Sequence, residues 1–74
     1  MNSIKSFAVF HVKATDIYRV IVHYQSGTVR EYVERFWADL PLSVQQAIDS
    51  DKFAIVNERH AGAVDGVWYK RMPA

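Results

Sequence analysis

Residues 17–35, with the sequence IYRVIVHYQSGTVREYVER, decide the fold that we predict for this chain. Between positions 18 and 24 most side chains are β-branched or aromatic, and these types fit a pleated, half-buried strand. Gly27 follows, and glycine readily adopts the positive φ that tight hairpin turns require. The stretch therefore predicts a β-hairpin with Ser26 and Gly27 as its two-residue turn.

A two-residue turn also predicts which side chains share a face of the hairpin, because Tyr24 then lies opposite Val29. The face predicted to pack on the core carries Tyr18, Val20, Val22, Tyr24, Val29 and Val33. The opposite face, predicted to be solvated or to bind a partner, carries Arg19, Ile21, His23, Arg30, Tyr32 and Glu34. Within it Arg19 faces Glu34, and His23 faces Arg30. A loop one residue longer would exchange several assignments, since a one-residue slip moves side chains to the other face.

A helix is the competing interpretation for the second half of this stretch. Apolar side chains recur there at helical spacing, namely Val29, Val33, Phe36, Trp37 and Leu40. A helix would then begin near Arg30. We prefer a strand up to about Glu34, because the strand before Gly27 would otherwise lack an obvious partner.

Residues 4–13 predict another strand, which is apolar on both faces and therefore central or covered. Residues 13–16 connect it to the hairpin and give a three-stranded antiparallel meander. His11 then lies opposite Tyr18, if the turn is centred on positions 14 and 15.

A short helix is predicted after position 40, ending around residues 50–52. Its apolar stripe is Leu40, Val44, Ala47 and Ile48. Pro41 suits the first helical turn, where its missing N–H is not needed. Asp39 and Ser43 are competing candidates for the N-cap.

Strands are predicted at residues 53–57 and 67–70, with a loop at 58–63 and a turn at Asp65 and Gly66. The expected fold class is α+β: a small antiparallel sheet in the order β-β-β-α-β-β, with one helix packed on one face. We expect residues 1–74 to form a single domain.

The composition bears on several classes of function. Nine basic and eight acidic residues give a net charge of +1, whereas dedicated nucleic-acid binders usually show a stronger basic excess. The absence of cysteine excludes disulfides, thiolate metal sites and cysteine catalysis. No segment approaches the roughly 18 apolar residues of a membrane span, and no signal-peptide cleavage site follows the first strand. We therefore expect a cytoplasmic protein.

No group of residues carries a recognisable chemistry. His11, His23 and His60 lack the close spacing of a helical or hairpin metal site. There is no Gly-x-Ser-x-Gly elbow and no glycine-rich phosphate loop. We expect no metal, no cofactor and no enzymatic activity.

Residues 68–71, WYKR, have two interpretations. Aromatic and basic side chains in succession can stack on bases and contact phosphates. The preferred interpretation is the end of an edge strand, in which Trp68 is buried while Lys70 and Arg71 discourage edge-to-edge association.

The leading functional hypothesis is a non-enzymatic protein–protein interaction module, acting as a homodimer or as a bacterial or phage accessory or inhibitor protein. A chain of 74 residues gains stability from association, and it is rich in aromatic residues and arginine. The predicted partner face carries Arg19, Ile21, His23, Arg30, Tyr32, Trp68, Lys70 and Arg71. The alternative is nucleic-acid binding, which requires the basic members of this set to gather on one face.

Overall fold

The computed structural model describes residues 3–61 and 64–72 of the chain. These residues form a five-stranded antiparallel sheet with one α-helix packed on one of its faces. The elements, in chain order, are β1 (Ile4–Val12), β2 (Ile17–Tyr24), β3 (Val29–Glu34), a 3₁₀ turn (Trp37–Asp39), α1 (Leu42–Ile48), β4 (Phe53–Ala61) and β5 (Val64–Arg71). The predicted α+β class, with three strands, a helix and two strands, is confirmed. None of the described helices is long and apolar enough to cross a membrane.

The strands lie in the order β3-β2-β1-β5-β4. β1 occupies the centre, as its apolar residues on both faces predict: Phe7 points to one face and Ala8 to the other, and both are buried. The chain crosses from one edge of the sheet, β3, to the other, β4, and α1 lies in this crossover. The meander of β1, β2 and β3 is confirmed, as is the end of β3 at Glu34, so the competing helix from Arg30 is wrong.

The connection between β1 and β2 has the predicted register, with His11 opposite Tyr18. The Thr15 N–H donates to the Val12 carbonyl oxygen at 3.2 Å. Asp16 completes the turn at a φ of 54°, a left-handed conformation that aspartate tolerates better than most residues.

The loop between β2 and β3 is one residue longer than predicted. The Gly27 N–H donates to the Tyr24 carbonyl oxygen at 3.0 Å, and the Tyr24 N–H donates to the Thr28 carbonyl oxygen at 2.9 Å. Tyr24 therefore faces Thr28, which leaves Gln25, Ser26 and Gly27 in the loop. Gly27 has a φ of 90°, as in three-residue hairpin loops whose last residue is left-handed.

This extra loop residue shifts the register of β3 and exchanges its faces. Val20 pairs with Tyr32, and Val22 pairs with Arg30. The predicted core positions of Val29 and Val33 are therefore wrong, and these side chains are 54% and 51% exposed. The predicted outer positions are likewise wrong for Arg30, Tyr32 and Glu34, and the predicted cross-strand pairs of Arg19 and His23 are replaced.

The core lies between the sheet and α1. Its buried side chains are Ile4, Phe7, Val20, Val22, Leu40 and Val44. The Phe7 ring stacks on Tyr69 at 4.7 Å and meets Phe53 edge-on at 5.0 Å, so β1 joins β5 and β4 through aromatic contacts. The predicted apolar stripe of α1 is confirmed, because Ala47 and Ile48 pack against this core as well.

The start of α1 differs from both predicted caps. Pro41 is the N-cap residue and makes no side-chain capping bond, so Asp39 and Ser43 do not hold this position. The helix ends at Ile48, slightly before the predicted end.

The second half of the sheet is more regular than predicted. Residues 58–61 belong to β4, and Asp65 and Gly66 lie inside β5. The predicted loop and turn are therefore wrong at these positions, while residues 62–63 of that loop lie outside the described residues. The preferred edge-strand interpretation of residues 68–71 is also wrong, because β5 lies between β1 and β4.

Candidate functional site

The two faces of the sheet differ in what covers them. The face that packs on α1 is called the helix face. The opposite one, called the open face, receives no packing from α1. Its central side chains, assigned from the strand register, are Ala8, Phe10, Ile21, His23, Val33 and Trp68.

The strand register aligns the open-face side chains in rows that cross the sheet. The central row runs from Glu31 on β3 through Ile21, Ala8 and Trp68 to Asn57 on β4. Ala8 is 1% exposed, and it is the small residue between two large ones. This size difference forms a groove with Ala8 at its floor.

The groove encloses about 290 Å³ and is open to solvent. Its apolar lining includes Phe10, Ile21 and Trp68, and His23 and Asn57 supply polar groups. The His23 ring meets Trp68 edge-on with the ring centroids 5.1 Å apart. The groove is therefore mainly apolar, with few polar groups at its sides.

Charged side chains border this apolar surface. The Arg19 guanidinium donates to the Glu31 carboxylate at 2.8 Å, and both side chains are nearly half exposed. An exposed pair of this kind contributes less than about 1 kcal/mol to stability. Lys70 is exposed on the same face, next to Ser6 and Ala54 in the strand register. The border thus carries charges of both signs.

On the helix face, two tyrosines lie side by side at the β2–β3 edge. The Tyr24 and Tyr32 hydroxyls are 3.4 Å apart. Their hydrogen bond is the largest cause of a raised Tyr24 pKa, and burial adds to it, while Arg30 acts in the opposite direction. The raised pKa reflects a hydrogen bond that is lost when Tyr24 ionises, so the contact between the two hydroxyls stabilises this edge of the fold.

The histidines are distributed without a metal site in the part of the chain that is described. No three His, Asp or Glu side chains there are placed to hold an ion. His11 stacks on Tyr18, and its Nε2 lies 2.7 Å from the Asp16 carboxylate. This contact ties the β1–β2 turn to the strand before it.

The predicted partner residues fall on both faces. The open face brings together Arg19, Ile21, His23, Trp68 and Lys70. The helix face carries the other three, Arg30, Tyr32 and Arg71. Arg71 lies over the Phe53 ring at 5.4 Å. The basic members of the set are therefore divided between the two faces.

The structure also adds residues to the open face that the sequence pattern did not place there. Ala8 and Phe10 lie on β1, Val33 on β3 and Asn57 on β4. A signal for Phe10 alone was present in the sequence, because an isolated glycine inside a strand marks a close approach. Gly66 is such a glycine, and the Phe10 ring lies against it.

Comparison with known protein families, with characterised proteins and with solved structures gives no match for this chain. Only its own residues and their geometry therefore bear on its function.

Proposed function

We propose that this chain is a non-enzymatic protein–protein interaction module and that the open face is its docking surface. The observation that carries the proposal is the continuous apolar surface formed by Phe10, Ile21 and Trp68 around the Ala8 floor. A sheet normally buries an apolar face against a second layer, and the helix supplies that layer on the other side only.

The composition of the open face supports this proposal. Interfaces are enriched in aromatic residues and arginine, and their apolar centre is bordered by polar groups. Trp68 and Phe10 lie near the centre of the face, and the Arg19–Glu31 pair lies towards its β3 border. A contiguous apolar surface with a polar rim is typical of a site that binds another protein.

The distribution of basic side chains favours this proposal over nucleic-acid binding. Arg19 and Lys70 lie on the open face, whereas Arg30 and Arg71 lie on the helix face. A nucleic-acid backbone requires cations along one surface. Arg19 is also paired with Glu31, which offsets its charge.

We further propose an accessory or inhibitory role, with the cytoplasm as the location.

The proposal is tested by comparing two charge substitutions on different surfaces. Ile21→Glu places a carboxylate on the open face, and Leu42→Glu places one on α1, where Leu42 is already 67% exposed. A tagged copy of the wild-type chain or of either variant is expressed in the source cell and purified together with any protein that it binds. Circular dichroism verifies that both variants are folded.

We expect Ile21→Glu to lose the bound protein and Leu42→Glu to retain it, because burying an unpaired charge in an apolar contact is costly. Retention by Ile21→Glu would contradict the proposal. Binding to a mixed-sequence oligonucleotide that weakens steeply as salt rises would instead favour the nucleic-acid alternative.

A further inference from the structure

We propose that the partner of the open face is a second copy of this chain, packed sheet against sheet about a two-fold axis. This inference rests on the proposed function, since it names the protein that the open face binds. Closed two-fold dimers are the commonest assemblies of soluble proteins, and they require a surface that is complementary to itself.

The shape of the central row supplies this complementarity. Ile21 on β2 and Ala8 on β1 are paired in the register. The Ile21 side chain forms a ridge, and Ala8 forms the floor of the groove. A two-fold axis parallel to the strands and between β1 and β2 places β1 of each copy over β2 of the other. The Ile21 side chain of each copy then enters the groove above Ala8 of the other.

The same axis brings opposite charges together at the border of the interface. It places β5 of each copy over β3 of the other, because these strands lie equally far from the axis in the sheet order. Lys70 on β5 is two residues along the strand from Trp68, whose row also contains Glu31. The Lys70 ammonium of each copy is therefore within side-chain reach of the Glu31 carboxylate of the other.

The area of the contact is that of a small dimer that dissociates readily on dilution. Four strands about 4.8 Å apart, over about eight residues of about 3.3 Å rise, cover roughly 500 Å² of each copy. Both copies together bury roughly 1,000 Å², which is near the lower limit for a biological interface of about 1,000–1,200 Å². A chain of 74 residues has little core of its own, so covering this face adds to its stability.

Pairing through the sheet edges is a poorer way to associate. The β4 edge carries a register irregularity between Ile55 and Asn57, and such a bulge interrupts the ladder that a new strand would extend. The β3 edge has charged side chains at three of its positions, Arg30, Glu31 and Glu34. Either edge contact would also leave the apolar open face uncovered.

The two tryptophans of the chain provide matched reporters of this contact. Trp68 lies on the open face, whereas Trp37 meets Tyr18 edge-on at 5.3 Å on the helix face. Trp37→Phe leaves Trp68 as the single tryptophan, and Trp68→Phe leaves Trp37 as the single tryptophan. Sedimentation equilibrium gives the mass of the wild-type chain over the same dilution series.

We expect the mass to fall from two copies to one on dilution. The Trp68 emission should move to longer wavelength over the same concentrations, while the Trp37 emission stays constant. Ile21→Glu should raise the dissociation constant about thirty-fold or more, as loss of a buried hot-spot side chain does. Lys70→Glu, which alters only an exposed side chain, should raise it about threefold. Leu42→Glu should leave it unchanged.

A single-copy mass throughout the dilution series would overturn this inference. A dimer that withstands Ile21→Glu, or one whose formation leaves the Trp68 emission unchanged, would overturn it too. A single-copy mass together with a different co-purified protein that Ile21→Glu releases would overturn this inference alone, because the open face then binds another protein. Retention of the bound protein by Ile21→Glu, whether a second copy or another chain, would overturn the proposed function as well.

Discussion

At the scale of single residues, the contact between Gly66 and Phe10 explains why a sequence typical of a turn lies inside a strand. A Cβ atom at position 66 would overlap the Phe10 ring on the neighbouring strand. Position 66 therefore requires glycine because the Phe10 ring occupies the space of a side chain there. The chain does not turn at this position. An Asp-Gly pair is a strong local turn signal, so the sequence pattern alone favoured the wrong structure.

Gly66→Ala should therefore destabilise the fold by about 1–3 kcal/mol, the usual cost of overpacking. In a Phe10→Ala background the same substitution should be neutral or stabilising, since alanine suits a strand interior better than glycine. Urea denaturation of the four chains of this double-mutant cycle gives the coupling between the two positions. Equal destabilisation in both backgrounds would show that the ring does not determine the choice of glycine.

The raised pKa of the Tyr24 hydroxyl predicts how the free energy of unfolding depends on pH in the alkaline range. Its hydrogen bond with Tyr32, assisted by burial, raises the Tyr24 pKa above the ordinary value of about 10. The folded chain therefore binds this proton more tightly than the unfolded chain does. The resulting stabilisation is complete below about pH 10 and is lost as pH rises through the folded pKa.

We expect the free energy of unfolding to decline above about pH 10, and to decline less in Tyr24→Phe than in the wild-type chain. Tyr18→Phe is the matched control, because the Tyr18 ring stacks on His11 instead of pairing with another hydroxyl. Urea denaturation at neutral and alkaline pH measures the difference. An alkaline decline of the same size in Tyr24→Phe and the wild-type chain would refute this role of the pair.

At the scale of elements, the local sequence pattern predicted the secondary structure of each segment better than it predicted which strand that segment pairs with. The alternation in β2 correctly placed Val20 and Val22 in the core. The faces of β3 depended on the loop, which Gln25 lengthened from two residues to three. The Gln25 N–H donates to the Ser3 carbonyl oxygen at 2.7 Å instead of pairing with β3. Sequence around Gly27 suits both loop lengths, so one residue decided whether Tyr32 or Val33 faced the core.

The position of β5 was harder to predict for a different reason. It pairs with β1, about sixty residues earlier in the chain. No local pattern in residues 68–71 indicates which strand they pair with. Its alternation was still informative, since it placed Trp68 and Tyr69 on opposite faces, where they contact His23 and Phe7. The open face combines side chains from all five strands, so only part of it could be predicted before the sheet order was known.

The helix supplies an element-scale prediction, because its first turn lacks a capping side chain. Gln45 does not cap the free N–H groups, because its amide nitrogen is a donor. It binds the segment before the helix instead: its Nε2 donates to the Leu40 carbonyl oxygen at 2.7 Å and to the Ala38 carbonyl oxygen at 3.3 Å. These bonds hold the 3₁₀ turn against α1. Gln45→Ala should cost about 1 kcal/mol of stability, a typical net value for such a bond.

Gln46→Ala is its matched control, because it makes the same change of helix propensity at the next, exposed position of α1. Thermal and urea denaturation should show the loss for Gln45→Ala only. Equal effects of the two substitutions would mean that the Gln45 amide bonds do not contribute to stability.

At the scale of the whole molecule, the sheet order predicts the pattern of amide hydrogen exchange. β1 has a hydrogen-bonded strand on each side, whereas β3 and β4 each have one. Amides of the central strand should therefore exchange most slowly, and the outward-facing amides of both edge strands most rapidly.

Packing of one open face on another buries side chains and adds no backbone hydrogen bonds. The fast exchange at the edges should then be equal at high and low protein concentration. Protection of alternate amides along β3 or β4 at high concentration would instead indicate a dimer formed by strand pairing, because a new strand bonds every second residue of the edge that it joins.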